Sequence, residues 1–186
     1  MPFSTTPLAD LLLFEPKVFE DSRGYFFEAY NERLFQQEGV ETKFVQDNQS
    51  KSTYGVIRGL HYQLPPFAQT KLVRVLEGSI LDVAVDIRQG SPTFGLSYAV
   101  ALSADNKKQL LIPAGFAHGF SVLSETAIVL YKCDQFYSKE SEGGIRYDDL
   151  SLNIDWQIEK GREIVSEKDL ALPSFTDCKN TFEYNR

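Results

Sequence analysis

Several segments of this chain place apolar residues at every second position. In Leu81-Asp82-Val83-Ala84-Val85-Asp86-Ile87-Arg88 the odd positions are all apolar and most even ones are charged, which predicts a half-buried strand. Residues 72–76 predict another strand, and Glu77-Gly78 reads as the tight turn joining the two. Further strands are expected over residues 95–103, 110–112, 119–123 and 127–133, with weaker signals over 42–49 and 25–30. Helical signals are few. Asn31 can cap a short helix ending near Gly39, and Ser166-Glu167-Lys168-Asp169 reads as a capping box opening a short helix closed by Pro173. Many short strands with turns between them predict an all-β sandwich or jelly-roll barrel. A parallel α/β fold is excluded by the missing crossover helices.

Length and composition narrow this picture. A chain of 186 residues suits one domain, residues 1–186, that buries roughly 70% of its unfolded surface without staples. With 14 Phe and 9 Tyr it favours strands. A net charge of −7 argues against nucleic acid as a partner, because phosphates need a basic face. An anionic ligand would need local arginines instead. The two cysteines, Cys133 and Cys178, match no zinc or redox spacing and are expected as free thiols in a reducing compartment. The apolar run at residues 11–14 has no basic segment before it, so neither a signal peptide nor a membrane span is expected, and the cytoplasm is the expected location.

Histidine occurs twice, in Gly55-Val56-Ile57-Arg58-Gly59-Leu60-His61-Tyr62-Gln63 and in Pro113-Ala114-Gly115-Phe116-Ala117-His118-Gly119-Phe120. These segments resemble the two motifs of the cupin superfamily of small jelly-roll barrels. Gly55 and His61 fit the first motif, and Pro113, Gly115 and His118 fit the second. The departures bear on the chemistry. Gln63 stands where the first motif has its second histidine, Lys71 where it has a glutamate, and Val122 where the second motif has an asparagine. A cupin metal site needs three imidazoles and a carboxylate, and a lysine cation repels a metal. The expectation is a barrel that keeps its pocket and uses no metal or other cofactor, with Lys71 stabilising a negative oxygen electrostatically.

Arg58-Gly59-Leu60-His61-Tyr62-Gln63 and the His118 segment occur together with Asp21-Ser22-Arg23-Gly24 and Gln46-Asp47-Asn48. The joint pattern, over about residues 16–169, resembles the dTDP-4-dehydrorhamnose 3,5-epimerase family, metal-free cupin-fold enzymes of dTDP-L-rhamnose synthesis. That resemblance implies His61 as general base, Asp169 as its orienting partner, Tyr131 as proton donor on the opposite face, and Lys71 at the C4 oxygen of the sugar. It further implies substrate contacts from Arg23, Glu28, Gln46, Asn48, Arg58, His118, Glu142 and Lys168, and a homodimer that exchanges strands near the N-terminus. The substrate would be a nucleotide sugar, dTDP-4-dehydro-6-deoxy-D-glucose.

The chemistry makes sense apart from the family. Epimerisation beside a ketone needs a base, an acid on the far side, and a positive group at the enolate oxygen. Neutral imidazole is available at pH 7, a carboxylate can fix its tautomer, and lysine supplies charge. Two arginines, Arg23 and Arg58, suit a pyrophosphate. Read singly, the same residues have blander roles. Tyr131 fits a core tyrosine with a bonded hydroxyl, Asp169 the third residue of a capped helix, Lys71 an exposed strand-end lysine, and Arg23 a turn residue. His118 is balanced between a structural bond to a carboxylate and contact with ligand, whereas Arg58 and Gln63 beside His61 argue against a dry core there. Besides the double epimerase, the alternatives are a single-carbon epimerase, a metal-dependent cupin, and a non-catalytic sugar-binding jelly roll.

Overall fold

A computed structural model describes residues 2–184. The strands in chain order are β1 (Phe3–Thr5), β2 (Leu12–Phe14), β3 (Phe19–Asp21), β4 (Gly24–Phe26), β5 (Gln46–Thr53), β6 (Val56–Gln63) and β7 (Lys71–Glu77). They continue as β8 (Ser79–Asp86), β9 (Ser97–Ser103), β10 (Gln109–Ile112), β11 (Phe116–Val122), β12 (Thr126–Cys133), β13 (Glu142–Gly144) and β14 (Ile164–Val165). Two short helices, α1 (Glu32–Gln37) and α2 (Glu167–Leu170), complete the chain. One sheet has the order β1-β2-β10-β7-β12-β5, and a second has β13-β6-β11-β8-β9, with β14 added in parallel to β6. This is the all-β jelly roll expected from the alternation, of the cupin type that the resemblance of the histidine segments implied.

Strand parity puts three apolar clusters in place. Between the sheets lie Val73, Val75, Ile80, Ala84, Leu110, Phe116, Phe120 and Val129, with neighbours from the same rows. Outside the second sheet, Leu81, Val83, Val85 and Ile87 pack against the C-terminal segment through Ile145, Leu152, Trp156 and Phe182. Outside the first sheet, Leu72 and Leu111 pack against Phe14 and Phe35 of α1.

Two features differ from the sequence reading. The strand read as half-buried is buried on both faces, and its apolar row points outward, under the C-terminal segment. Its acidic row, Asp82 and Asp86, faces the protein interior, where Asp82 meets His118 and Asp86 meets Arg88, Ser91 and Thr93. Alternation reports two unlike faces but not which of them water touches. The second correction concerns Glu77-Gly78. It does link β7 to β8, but these strands do not pair. Gly78, at φ +75°, turns the chain from one sheet into the other.

Elsewhere the boundaries moved. The signal over 42–49 belongs to a strand four residues later, Gln46–Thr53, and that over 25–30 to Gly24–Phe26. The β6 strand carries the first histidine motif, and its Val56-Ile57-Arg58-Gly59-Leu60-His61 run has no clean alternation to mark it. Both helix starts agree: Asn31 accepts from the N–H groups of Arg33 and Leu34, and Ser166 from that of Asp169.

Candidate active site

The site lies between the sheets, at one end of the apolar core. In antiparallel pairs, directly opposed residues share a face. Lys71, Cys133 and Gln46 are opposed across β7, β12 and β5, as are Val73, Tyr131 and Asn48, then Val75, Val129 and Ser50. These rows make the inner wall of the first sheet. From the second sheet, His118 of β11 stands directly opposite His61 of β6. The register between these strands shifts between His118 and Phe120, so that Arg58 and His61, three residues apart, both face inward. Two glycines permit the close approach: a Cβ at Gly59 would stand 2.6 Å from the Cα of Gly119, and φ at Gly59 is +118°.

Arg58, His61, Lys71, His118 and Tyr131 line one cavity of about 130 Å³, together with Ser50, Gly119 and Phe120. That is smaller than the roughly 300–1,000 Å³ of sites enclosing whole drug-sized ligands, so it has room for a single small ring. His61 Nε2 is 2.8 Å from Asp169 Oδ1, with the imidazole 39% exposed and the carboxylate 6%. The second Asp169 oxygen accepts from the Gly59 N–H at 3.2 Å. Burial pushes the Asp169 carboxyl up, but the hydrogen bonds from His61 and Gly59 override it, and its pKa lies below the usual value. Capping and orienting are compatible here. The Asp169 N–H closes on Ser166 while its side chain holds His61, so one residue both caps α2 and contacts the imidazole.

The other histidine is fixed as firmly. His118 Nε2 lies 2.8 Å from Asp82 Oδ1, both groups being buried. Burial lowers the His118 pKa against the pull of Asp82, and the nearby Lys71 and His61 lower it further. Burial likewise lowers the Lys71 pKa, opposed by Cys133 and Asp82. The Tyr131 hydroxyl is pushed up, by burial first and then by Cys133, and remains protonated at neutral pH. The Lys71 ammonium sits 6.0 Å from the centre of the Tyr131 ring.

The remaining expected contacts divide. Gln46 donates to Asn48 at 3.0 Å, and Asn48 to the Cys133 sulfur at 3.7 Å, on the same inner wall. Arg58 Nε donates to Ser52 Oγ at 3.1 Å. Glu142 and Lys168 form an exposed ion pair at 2.8 Å beside this end of the second sheet, since β13 pairs with β6 and Lys168 precedes Asp169. Arg23 and Glu28 do not reach the cavity within this chain. Arg23 lies on the separate β3–β4 hairpin, bound to Asp21 at 2.6 Å, and Glu28 accepts from Asn31. Gln63, read as a polar neighbour of the pocket, is buried away from it. It donates to the Phe67 and Phe136 carbonyls and accepts from the Ser138 N–H, fastening two loops.

Asp82 and Ser50 were missed. The only signal for Asp82 was an acid in a strand rich in valine, and for Ser50 a place in a polar row. Tyr137 was also missed; it is exposed, and its N–H donates to Gln46 at 3.1 Å.

A base–carboxylate pair, a half-buried tyrosine and a lysine gathered in one cavity of a jelly roll suit an isomerase of the sugar-epimerase class. The comparisons agree. The family model for dTDP-4-dehydrorhamnose 3,5-epimerase matches residues 5–177, and the chain belongs to that family. It is 54% identical to the Shigella flexneri dTDP-4-dehydrorhamnose 3,5-epimerase over 93% of this chain and 95% of the relative. The crystal structure of the Elizabethkingia anophelis enzyme of that name superposes with a TM-score of 0.90 at 56% identity, covering 94% of this chain and 96% of the other. The Legionella pneumophila dTDP-6-deoxy-D-glucose-3,5-epimerase, solved in complex with dTDP-4-keto-L-rhamnose, superposes with a TM-score of 0.90 at 46% identity, covering 94% and 93%. No helix among the described residues is long and apolar enough to cross a membrane.

Proposed function

We propose that this epimerase inverts C3 and C5 of dTDP-4-dehydro-6-deoxy-D-glucose to give dTDP-4-dehydro-L-rhamnose, in dTDP-L-rhamnose synthesis. One observation carries the reading: base and acid stand on facing sheets. His61 extends from the second sheet and Tyr131 from the first, into one cavity. Asp169 engages His61 Nε2, which leaves Nδ1 to take the proton from carbon. The electron pair passes to the C4 oxygen as an enolate, where Lys71 supplies positive charge. Tyr131 then returns a proton from the opposite side. A phenol is a weak acid, weaker still when buried, but the enolate is a strong base. Both C3 and C5 flank the same ketone, so one site serves both in turn.

Arg58 suits the pyrophosphate, and the exposed Tyr137 ring beside Gln46 offers a planar face for the base. Arg23 and Glu28 join the site from a second copy of the chain. Their hairpin leaves Phe19, Tyr25 and Phe26 exposed, as a surface awaiting a partner would. The working unit is a homodimer of single-domain chains in the cytoplasm. Incubation with dTDP-4-dehydro-6-deoxyglucose in heavy water, followed by NMR, tests the reaction. Deuterium at C3 and C5 is expected. Label at one carbon would support the single-carbon epimerase, and none, with the sugar nucleotide still bound, a binding module.

A further inference from the structure

The inner row of β5 consists of Gln46, Asn48, Ser50 and Ser52, and three of these side chains are engaged. Gln46 donates to Asn48, Asn48 to Cys133, and Ser52 accepts from Arg58. Ser50 is the exception. Its Oγ is withdrawn from solvent, yet among the described residues it has no hydrogen-bond partner. Ser50 nevertheless lines the cavity shared by Lys71, Tyr131 and His61. Nearly all buried hydroxyls in folded proteins are satisfied, so an orphan in a reaction cavity calls for a reason. Packing supplies none. The row across from Ser50 is Val129 and Val75, both buried, and an alanine would continue it without a polar atom to bury.

Three other polar side chains of the cavity are engaged. Asp169 holds His61, Asp82 holds His118, and Ser52 holds Arg58. Beside the Tyr131 hydroxyl, which the proton transfer uses, the lysine and the serine are left to the ligand: burial and the neighbouring Cys133 and Asp82 act on Lys71, but no side-chain hydrogen bond does. We infer that Ser50 is a further catalytic residue of this epimerase, whose hydroxyl donates a hydrogen bond to the C4 oxygen of the sugar and shares with Lys71 the negative charge of the enolate. Ser50 gives up no proton; His61 and Tyr131 do the proton transfers. A serine side chain turns about one bond among three staggered positions, so one rotation moves its hydroxyl between the strand and the cavity. The inference rests on the epimerase reading above.

The test is Ser50→Ala. A donor aimed at charge that develops only in the transition state acts on kcat rather than on KM. Turnover is expected to fall roughly ten- to a hundredfold, somewhat less than for the strongest oxyanion donors, with KM changed by less than about threefold. Solvent exchange at C3 and C5 should fall in step with turnover, because enolate formation itself is impaired. Affinity for dTDP alone should be unchanged, and the melting temperature should not drop, since the hydroxyl has no protein partner to lose. Unchanged turnover in the folded variant, a raised KM with normal kcat, or a lowered melting temperature would each overturn the assignment. Inactive wild-type protein would instead overturn the epimerase reading on which it stands.

Discussion

His61 and Asp169 set the terms for the chemistry at single residues. Replacing His61 by Asn keeps a polar side chain but removes the base, and turnover should fall roughly a hundred- to ten-thousandfold. Thermal melting should change little, because the ring is partly exposed and bonded only to Asp169 among the described residues. Wild-type turnover in that variant would remove His61 from the mechanism. Tyr131→Phe should impair inversion more than it impairs solvent exchange, because proton removal needs only the base. The pH dependence of stability follows from Asp169. Its folded pKa lies below its unfolded value of about 3.9, so its contribution is complete above that pH and is lost as pH falls through the folded value. Urea midpoints of the wild type should therefore decline more steeply into acid than those of Asp169→Asn. The motif around His61 made that residue legible in the sequence, and the departure at Lys71 pointed to charge. Asp169 could be assigned only through the family likeness, for it lies 108 residues from its partner. Asp82 was unreadable because a strand pattern does not reveal which face is interior.

At the level of elements, the close seam between β6 and β11 is the part least able to change. An alanine at Gly59 would bring its Cβ 2.7 Å from the His118 carbonyl oxygen at a backbone φ that disfavours any side chain. Strain and crowding together should cost about 3 kcal/mol or more, read as a lowered urea midpoint. Ser166→Ala removes the α2 cap and should cost about 1 kcal/mol. It should also lower kcat through Asp169, whose backbone that cap fixes. A stability loss without a change in kcat would separate the two roles. Both caps and most strands were readable locally, because Asn31, Ser166 and the alternating rows act within a few residues. The strand pairing was not. Gly78 looks like a hairpin turn, and only the tertiary choice of sheets makes it a corner. The β5 strand ran past its predicted end because its inner row is polar, so the hydrophobic alternation failed there.

For the whole molecule, sedimentation should give twice the chain mass. Mixing inactive Arg23→Ala chains with inactive Lys71→Ala chains should restore part of the activity, because in a mixed dimer one site would receive an intact residue from each. Failure to recover activity, with exchange of subunits demonstrated, would return Arg23 and Glu28 to a role within their own chain. The jelly roll was legible from length and alternation, since many short strands without crossover helices leave few architectures. The meeting of distant residues was not, because it is set by which sheet each strand joins. Packed sheets stand roughly 10 Å apart, and side chains reaching in from both walls leave a slot about one pyranose thick. The stereochemical outcome is thus inherited from the thickness of the sandwich: thinning the filler at Val129 or Phe120 should let the planar intermediate tilt toward His61, so that more carbons exchange hydrogen without changing hand.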